Sequence, residues 1–150
     1  MTGSTILVLL AGTLALYALG AVWYSKLLFG NLWMSLIGKT EAQLKANMTN
    51  PALAYGVTFI SGLVTTIGIY AAIKGVNAMA CVNQPCHSML PSSAICGGLI
   101  GIFLAITLIG STSLGMTLWE GRPFRLYLLN LAYHVTGFAI VGAIIGAYVH

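Results

Sequence analysis

Few residues in this sequence can do chemistry, and they fall into three groups. The first is Cys81-Val82-Asn83-Gln84-Pro85-Cys86-His87, two cysteines five apart with a histidine directly after the second. In an oxidising compartment such a pair most simply closes a disulfide over a short loop, a bridge stabilising by about 2 kcal/mol. The same residues approach the C-x-x-C-H signature of covalent haem c attachment, with two thioethers and His87 as axial ligand. Here, however, four residues rather than two separate Cys81 and Cys86. Met89 or His150 could approach that face as well. A zinc site built on Cys81, Cys86 and His87 would lack a fourth ligand. Cys96 reads as an inert core thiol.

The second group is Tyr127, Asn130, His134 and Gly137, whose spacing of three and four puts them on one face of a helix. At about 1.5 Å per residue, His134 falls near the middle of a membrane span. An ionisable group at that depth could relay a proton, bind a metal or haem, or gate a pore. The plainer alternative is a neutral histidine giving one hydrogen bond to a neighbouring helix, because no acid accompanies it. The third group is Trp119-Glu120-Gly121-Arg122-Pro123-Phe124-Arg125, the densest charged cluster. Glu120, Arg122 and Arg125, with Lys26, could hold a lipid phosphate or an acidic partner, or simply turn the chain and anchor the next helix. The sequence has no nucleotide motif, nucleophile–base pair or metal-ligand cluster. No catalytic activity and no resident cofactor are therefore expected, haem c on Cys81 and Cys86 being the alternative.

The elements that must position these residues follow from composition. The 150 residues are 59% hydrophobic and only 5% charged, with mean hydropathy +0.96. Soluble domains carry about a quarter charged residues, and a chain this apolar could not cover itself in water. Six basic residues stand against two acids, Glu41 and Glu120, and there is no aspartate. Scattered as they are, the cations form no basic run for nucleic acid, so anionic headgroups are the expected counter-charge. Four continuous apolar runs, each long enough for a spanning helix, cover residues 6–25, 51–73, 92–118 and 124–149. Their continuity excludes transmembrane β-strands. The first lacks the charged flank of a cleavable signal and is expected to stay as a span.

Helix ends are visible too. Trp23 and Tyr24 close the first run as an interfacial aromatic pair. Asn50-Pro51 offers an N-cap followed by a proline at the first helical position. Between the first two spans, Leu27–Leu36 reads as an interfacial stretch. Thr40 with Gln43 makes a capping box there, and Glu41 and Lys45 lie four apart, which predicts a short surface helix. Lys26, Lys39, Lys45, Arg122 and Arg125 all lie in the first and third connections, against Lys74 alone on the other side. The excess of positive charge predicts these connections inside, with both termini and the Cys81–Cys86 loop outside, in a bacterial inner membrane.

Lipid tails are as apolar as Leu, so close packing at small residues must hold the helices together. Gly97/Gly101 and Gly142/Gly146 each form a GxxxG. Thr13, Tyr17, Gly20 and Tyr24 in span one, Tyr55, Thr58, Ser61 and Thr65 in span two, and Thr107, Ser111 and Gly115 in span three form stripes expected to face the interior or line a polar path. The fold class expected is all-α: a four-transmembrane-helix bundle of two helical hairpins, with a short interfacial helix between spans one and two, in a single domain over 1–150.

Gly20-Ala21-Val22-Trp23-Tyr24-Ser25 followed by Leu28-Phe29-Gly30 and Trp33, and later Glu120-Gly121-Arg122-Pro123, Asn130 and Gly142-Ala143-Ile144-Ile145-Gly146-Ala147, resemble the signatures of a family of small four-helix membrane proteins. That family is known as domain of unknown function seventeen-sixty-one. The resemblance covers most of the chain apart from the Cys81–Ser88 loop. It implies a membrane location and four spans, and supplies no activity. The residues themselves favour a non-catalytic accessory or assembly subunit of a larger membrane complex, or a small homo-oligomer, with lipids and other subunits or itself as partners. A small transporter or channel using His134 is the alternative, and a haem-carrying electron-transfer subunit using Cys81, Cys86 and His87 a second.

Overall fold

A backbone amide in hydrocarbon has no water to bond, so each crossing segment must satisfy its own peptide groups as a helix. The computed structural model, which describes residues 3–47, 50–82 and 93–149, is built this way. In chain order the helices are α1 (Gly3–Trp23), α2 (Gly30–Ile37), α3 (Glu41–Asn47), α4 (Pro51–Val82), α5 (Ala94–Leu104), a π-helical turn (Ala105–Gly110), α6 (Ser111–Trp119) and α7 (Phe124–Tyr148). Among the described residues four stretches are long and apolar enough to cross a membrane: α1, Pro51–Met79 of α4, the continuous Ala94–Trp119, and α7.

The helix ends follow the capping chemistry written in the sequence. Asn50 Oδ1 accepts from Leu53 N at 3.1 Å ahead of Pro51, and Ser93 Oγ accepts from Cys96 N at 3.2 Å. The capping box is reciprocal: Thr40 N donates to Gln43 Oε1 at 2.9 Å and Gln43 N to Thr40 Oγ1 at 3.3 Å. Gly121 turns the chain between α6 and α7 at φ +62°, a conformation that favours glycine.

Three expectations need correction. The second span does not end near Ile73 but continues as α4 to Val82, with Lys74 on an exposed face, so Cys81 lies in the last helical turn rather than in a loop. A long amphipathic stem lets the lysine carry its charge along the outside of the helix toward the interface without breaking it. The connection between spans one and two holds two short helices, not one. Span three is not a regular helix. Its π-helical turn inserts a residue and rotates all that follows by about 100°, so Ser111 is exposed instead of facing the interior; Thr107, two residues on from buried Ala105 and so on the opposite side of the helix, is exposed as well. Their hydroxyls donate back to Phe103 O and Thr107 O.

The strongest contact in the molecule is between α5 and α7. Gly97 O sits where a Cβ on Gly142 would be, and Gly142 O where a Cβ on Gly97 would be; Phe138 O occupies the same place at Gly101. A Cβ on Gly146 would lie 2.7 Å from Ser93 O and 2.8 Å from Gly97 Cα. With no side chain between them the two backbones touch, and Cα–H groups point at carbonyl oxygens across the interface. Both GxxxG motifs thus pack against each other. Beside them Ile69, Ile73, Ala105, Val141, Ile145 and Val149 form the buried core. On the α1–α4 side Thr13 Oγ1 donates to Thr66 Oγ1 at 3.3 Å. The buried face of α4 therefore runs through Thr66, Ile69 and Ile73, one residue round from the stripe read from sequence, and Tyr55, Thr58 and Ser61 are exposed.

The backbones at this contact cannot yield as side chains can. Gly97→Val or Gly101→Val is expected to cost about 3 kcal/mol, whereas Gly68→Ala, with nothing within 4 Å of its would-be Cβ, should stay within about 0.5 kcal/mol of wild type. Denaturant unfolding in mild detergent measures both. Equal tolerance at the three positions would refute the contact.

Candidate functional site

The basic end of the bundle is assembled by a second close approach. A Cβ on Gly30 would lie 2.5 Å from Tyr24 O and 2.7 Å from Ser25 O, so only glycine lets α2 tuck beneath the end of α1. Gly30 N donates to Ser25 O at 2.8 Å. This brings Trp33 edge-on to Tyr24, with ring centroids 5.5 Å apart. Tyr24 in turn meets Tyr133 at 5.3 Å, and its hydroxyl donates to Asn130 Oδ1 at 3.0 Å. Trp23 and Tyr24, read from sequence as an interfacial anchor, are half-buried and turned inward. Trp23 packs on Phe29 and Tyr133 at 4.8 and 6.1 Å.

Between these rings, α4 and span three lies a cleft. Its deep chamber, about 170 Å³, is bordered by Thr13, Tyr17, Thr65, Tyr133 and Phe138. Its wider mouth, about 630 Å³, is bordered by Tyr24, Trp33, Tyr55, Ser113 and Asn130. Thr58, Ile109 and His134 belong to the walls of both. The cleft exists because α4 makes its main contacts with α1, α7 and α5 and not with α6. Ile109 lies in the π-helical turn, and Tyr127 Oη donates to Gly110 O at its end, at 3.3 Å. Toward the other end the cleft is closed by the Thr13–Thr66 pair and the core beyond it.

The residues on the α7 stripe thus have different fates. Tyr127 supports the π-helical turn, Asn130 pairs with Tyr24, and Gly137 packs beneath Leu16, whose Cδ1 lies 2.6 Å from a would-be Cβ. His134 touches Tyr133 and Phe138 edge-on, at 5.0 and 6.0 Å, and makes no hydrogen bond among the described residues. The expected bond to a neighbouring helix is not formed, because the space beside the imidazole is the cleft. The serine and threonine hydroxyls nearby are satisfied within their own helices: Thr58 donates to Ala54 O at 2.8 Å and Thr65 to Ser61 O at 3.0 Å.

Charged residues lie outside the cleft. Glu41 receives Lys26 at 2.5 Å and Lys45 at 2.9 Å, which clasps α3 to the end of α1. The i,i+4 partner was legible in the sequence; Lys26 was not, because its approach depends on the path of α2. Arg122 Nε meets Glu120 at 2.5 Å, while Arg125 joins no ion pair among the described residues. Cys96 is a free, half-buried thiol. Of the proposed disulfide or haem group, Cys86 and His87 lie outside the described residues, as does the side chain of Cys81. Among the described residues no three His, Cys, Asp or Glu side chains gather where a metal could bind.

The family profile matches residues 7–146, which includes every residue of the cleft. The chain belongs to the family described as protein of unknown function DUF1761. This agrees with the resemblance read from Gly20–Trp33 and from the Glu120–Ala147 segment. No curated protein and no solved structure matches. Membership of DUF1761 assigns no activity, so the functional reading rests on the site itself.

The Glu41 clasp has a defined pH range. Hydrogen bonds from Lys26 and then Lys45 hold the Glu41 carboxyl at about 2 instead of its ordinary 4.5, and Glu41 raises Lys45 in return. A depressed carboxyl stabilises the fold above its unfolded value, and that contribution fades as pH falls from 4.5 toward 2. Carbon-13 titration of Glu41 should therefore show it ionised at pH 4. Lys26→Ala should move its midpoint back toward 4.5, and added salt should weaken the exposed clasp. A wild-type midpoint near 4.5 would contradict the pairing.

Proposed function

We propose that this protein is a non-catalytic intramembrane binding protein that takes up a small lipid-soluble ligand sideways from the bilayer, through the gap between α4 and α6. The observation that carries this reading is His134, an intramembrane imidazole in the wall of both chambers with no hydrogen-bond partner among the described residues. Leaving such a group unpaired in hydrocarbon costs about 1–3 kcal/mol, a cost that a bound ligand removes. A cleft lined by aromatic groups with a few convergent polar atoms is the usual form of a small-molecule site. Lys26, Arg122 and Arg125 ring the mouth end and face anionic headgroups of a bacterial inner membrane, with both termini outside.

A carrier that alternates between two openings is the second reading. The π-helical turn favours it, since such turns are irregularities often found at functional sites and Ile109 within it borders both chambers. A role as an accessory subunit or homo-oligomer rests on the chain's small extramembrane mass and is separable by experiment.

Thr58 is exposed, bonds only within its own helix and borders both chambers, so Thr58→Trp should plug the cleft without disturbing the core. Native mass spectrometry of protein taken from its own membranes is expected to show a bound small molecule in wild type. Occupancy should fall at least about tenfold in Thr58→Trp, with the unfolding midpoint unchanged, as loss of roughly 1.4 kcal/mol or more of binding requires. Equal occupancy would refute the cleft as the site. A wild-type protein that carries nothing but enters a larger complex would replace this reading with the accessory one.

A further inference from the structure

The chemistry of the walls narrows what the cleft takes, granted that it is a ligand site as proposed above. We infer that the ligand is an uncharged cyclic carbonyl compound of the quinone type, its ring beside His134 and its apolar tail leaving between α4 and α6. Charge decides the first point. Neither chamber has Asp, Glu, Lys or Arg in its walls. An ion moved there would lose its hydration with no counter-charge to meet it, which the cleft cannot offset.

Hydrogen-bonding polarity decides the second. The Trp33 indole N–H can only donate. Asn130 Oδ1 is already engaged by Tyr24, which leaves its amide hydrogens. Tyr55 and His134 have no hydrogen bond among the described residues, and each carries an available N–H or O–H. The threonine hydroxyl hydrogens are turned to their own helix carbonyls, which leaves those oxygens as acceptors. Trp33 and the Asn130 amide group can only donate and stand at the mouth, and His134, where the two chambers join, can turn its N–H to the same guest, so acceptor oxygens on the ligand are met along this line.

Shape decides the third. Trp33, Tyr24, Tyr133, His134 and Phe138 follow one another from the mouth to the closed end, with successive ring centroids 5.5, 5.3, 5.0 and 6.0 Å apart. Tilted and edge-on contact of this kind is how aromatic groups prefer to meet, and a planar ring extends the series. The deep chamber of about 170 Å³ compares with the ~150 Å³ of an engineered protein cavity that binds benzene. One six-membered ring fits; the mouth accommodates its substituents. An acyl ester shares the acceptor oxygen but has no ring, which makes it the discriminating competitor.

The test uses the full chain in phosphatidylcholine nanodiscs titrated with 2-decyl-1,4-benzoquinone, read by quenching of tryptophan fluorescence. Saturable quenching is expected, with methyl dodecanoate and decylbenzene competing at least about tenfold more weakly. His134→Leu should weaken the quinone about five- to tenfold, the loss of one neutral hydrogen bond. His134→Gln, which keeps an N–H donor, should stay within about twofold by the same reasoning and guards against a folding defect in the first variant. Equal competition by methyl dodecanoate would overturn the ring class and leave the cleft reading standing. Quenching that rises in proportion to quinone in wild type and His134→Leu alike would also overturn the ring class; the Thr58→Trp preparation then decides the cleft reading by itself.

Discussion

At Gly97 and Gly142 two helices meet backbone to backbone, each carbonyl oxygen in the place where the other residue would carry a Cβ. In hydrocarbon no hydrophobic force draws helices together, so this close fit and the weak Cα–H···O contacts it allows are what fix α5 on α7. Everything else is arranged around that fixed pair. Where the partners are glycines, the bundle closes tightly over Ile69, Ile73, Val141 and Ile145. Toward the other end α7 carries Tyr127, Asn130, Tyr133 and His134 instead, and no such backbone contact is possible. α4 follows α1 there, with Tyr17 and Phe59 edge-on at 6.1 Å, and leaves α6 uncovered. A bundle tight at one end and open at the other is the direct outcome of where the glycines are.

The distribution of polar groups has the same cause. Serine and threonine can satisfy their hydroxyls on the carbonyl four residues back, and they do so on both walls of the cleft, at Thr58, Thr65 and Ser113. Side chains too long to bond their own helix must find partners elsewhere. Tyr24 finds Asn130 and Tyr127 finds Gly110 O. His134 finds none among the described residues, and it stands where the two chambers join. The cleft is thus lined by satisfied hydroxyls, aromatic rings and a small number of unengaged donors, with every formal charge outside it. That pattern suits an uncharged guest in a low-dielectric site.

Much of the fold was legible in the sequence because its signals are local. The four apolar runs, the Asn50 cap, the Thr40–Gln43 box and the two GxxxG motifs each declare themselves within a few residues. On α7, a regular helix that keeps its phase, Asn130 and His134 both border the mouth of the cleft, while Tyr127 of the same stripe bonds to Gly110 O outside it. Phase is also where span three departs from its reading: the π-helical turn at Ala105–Gly110 has no sequence mark, and it carries Ser111 to the outer surface. The site itself depends on meetings across long separations. Tyr24 with Asn130, and Trp33 with Tyr24 through the Gly30 approach, cannot be inferred from spacing. Tyr133 stands off the stripe read on α7, and Gly20 gives it room, its would-be Cβ lying 3.1 Å from the Tyr133 hydroxyl.

A bundle sealed by glycines at one end and open at the other predicts a step in accessibility along α4. Single nitroxide labels at Tyr55, Thr58, Ser61, Thr66, Ile69 and Ile73 in lipid bilayers, probed with oxygen, measure it directly. Strong oxygen collision at Tyr55, Thr58 and Ser61, falling to almost none at the buried Thr66, Ile69 and Ile73, is the predicted result. Oxygen collisions at Thr66, Ile69 and Ile73 as frequent as at the first three positions, the smooth depth profile of a lipid-facing helix, would contradict it.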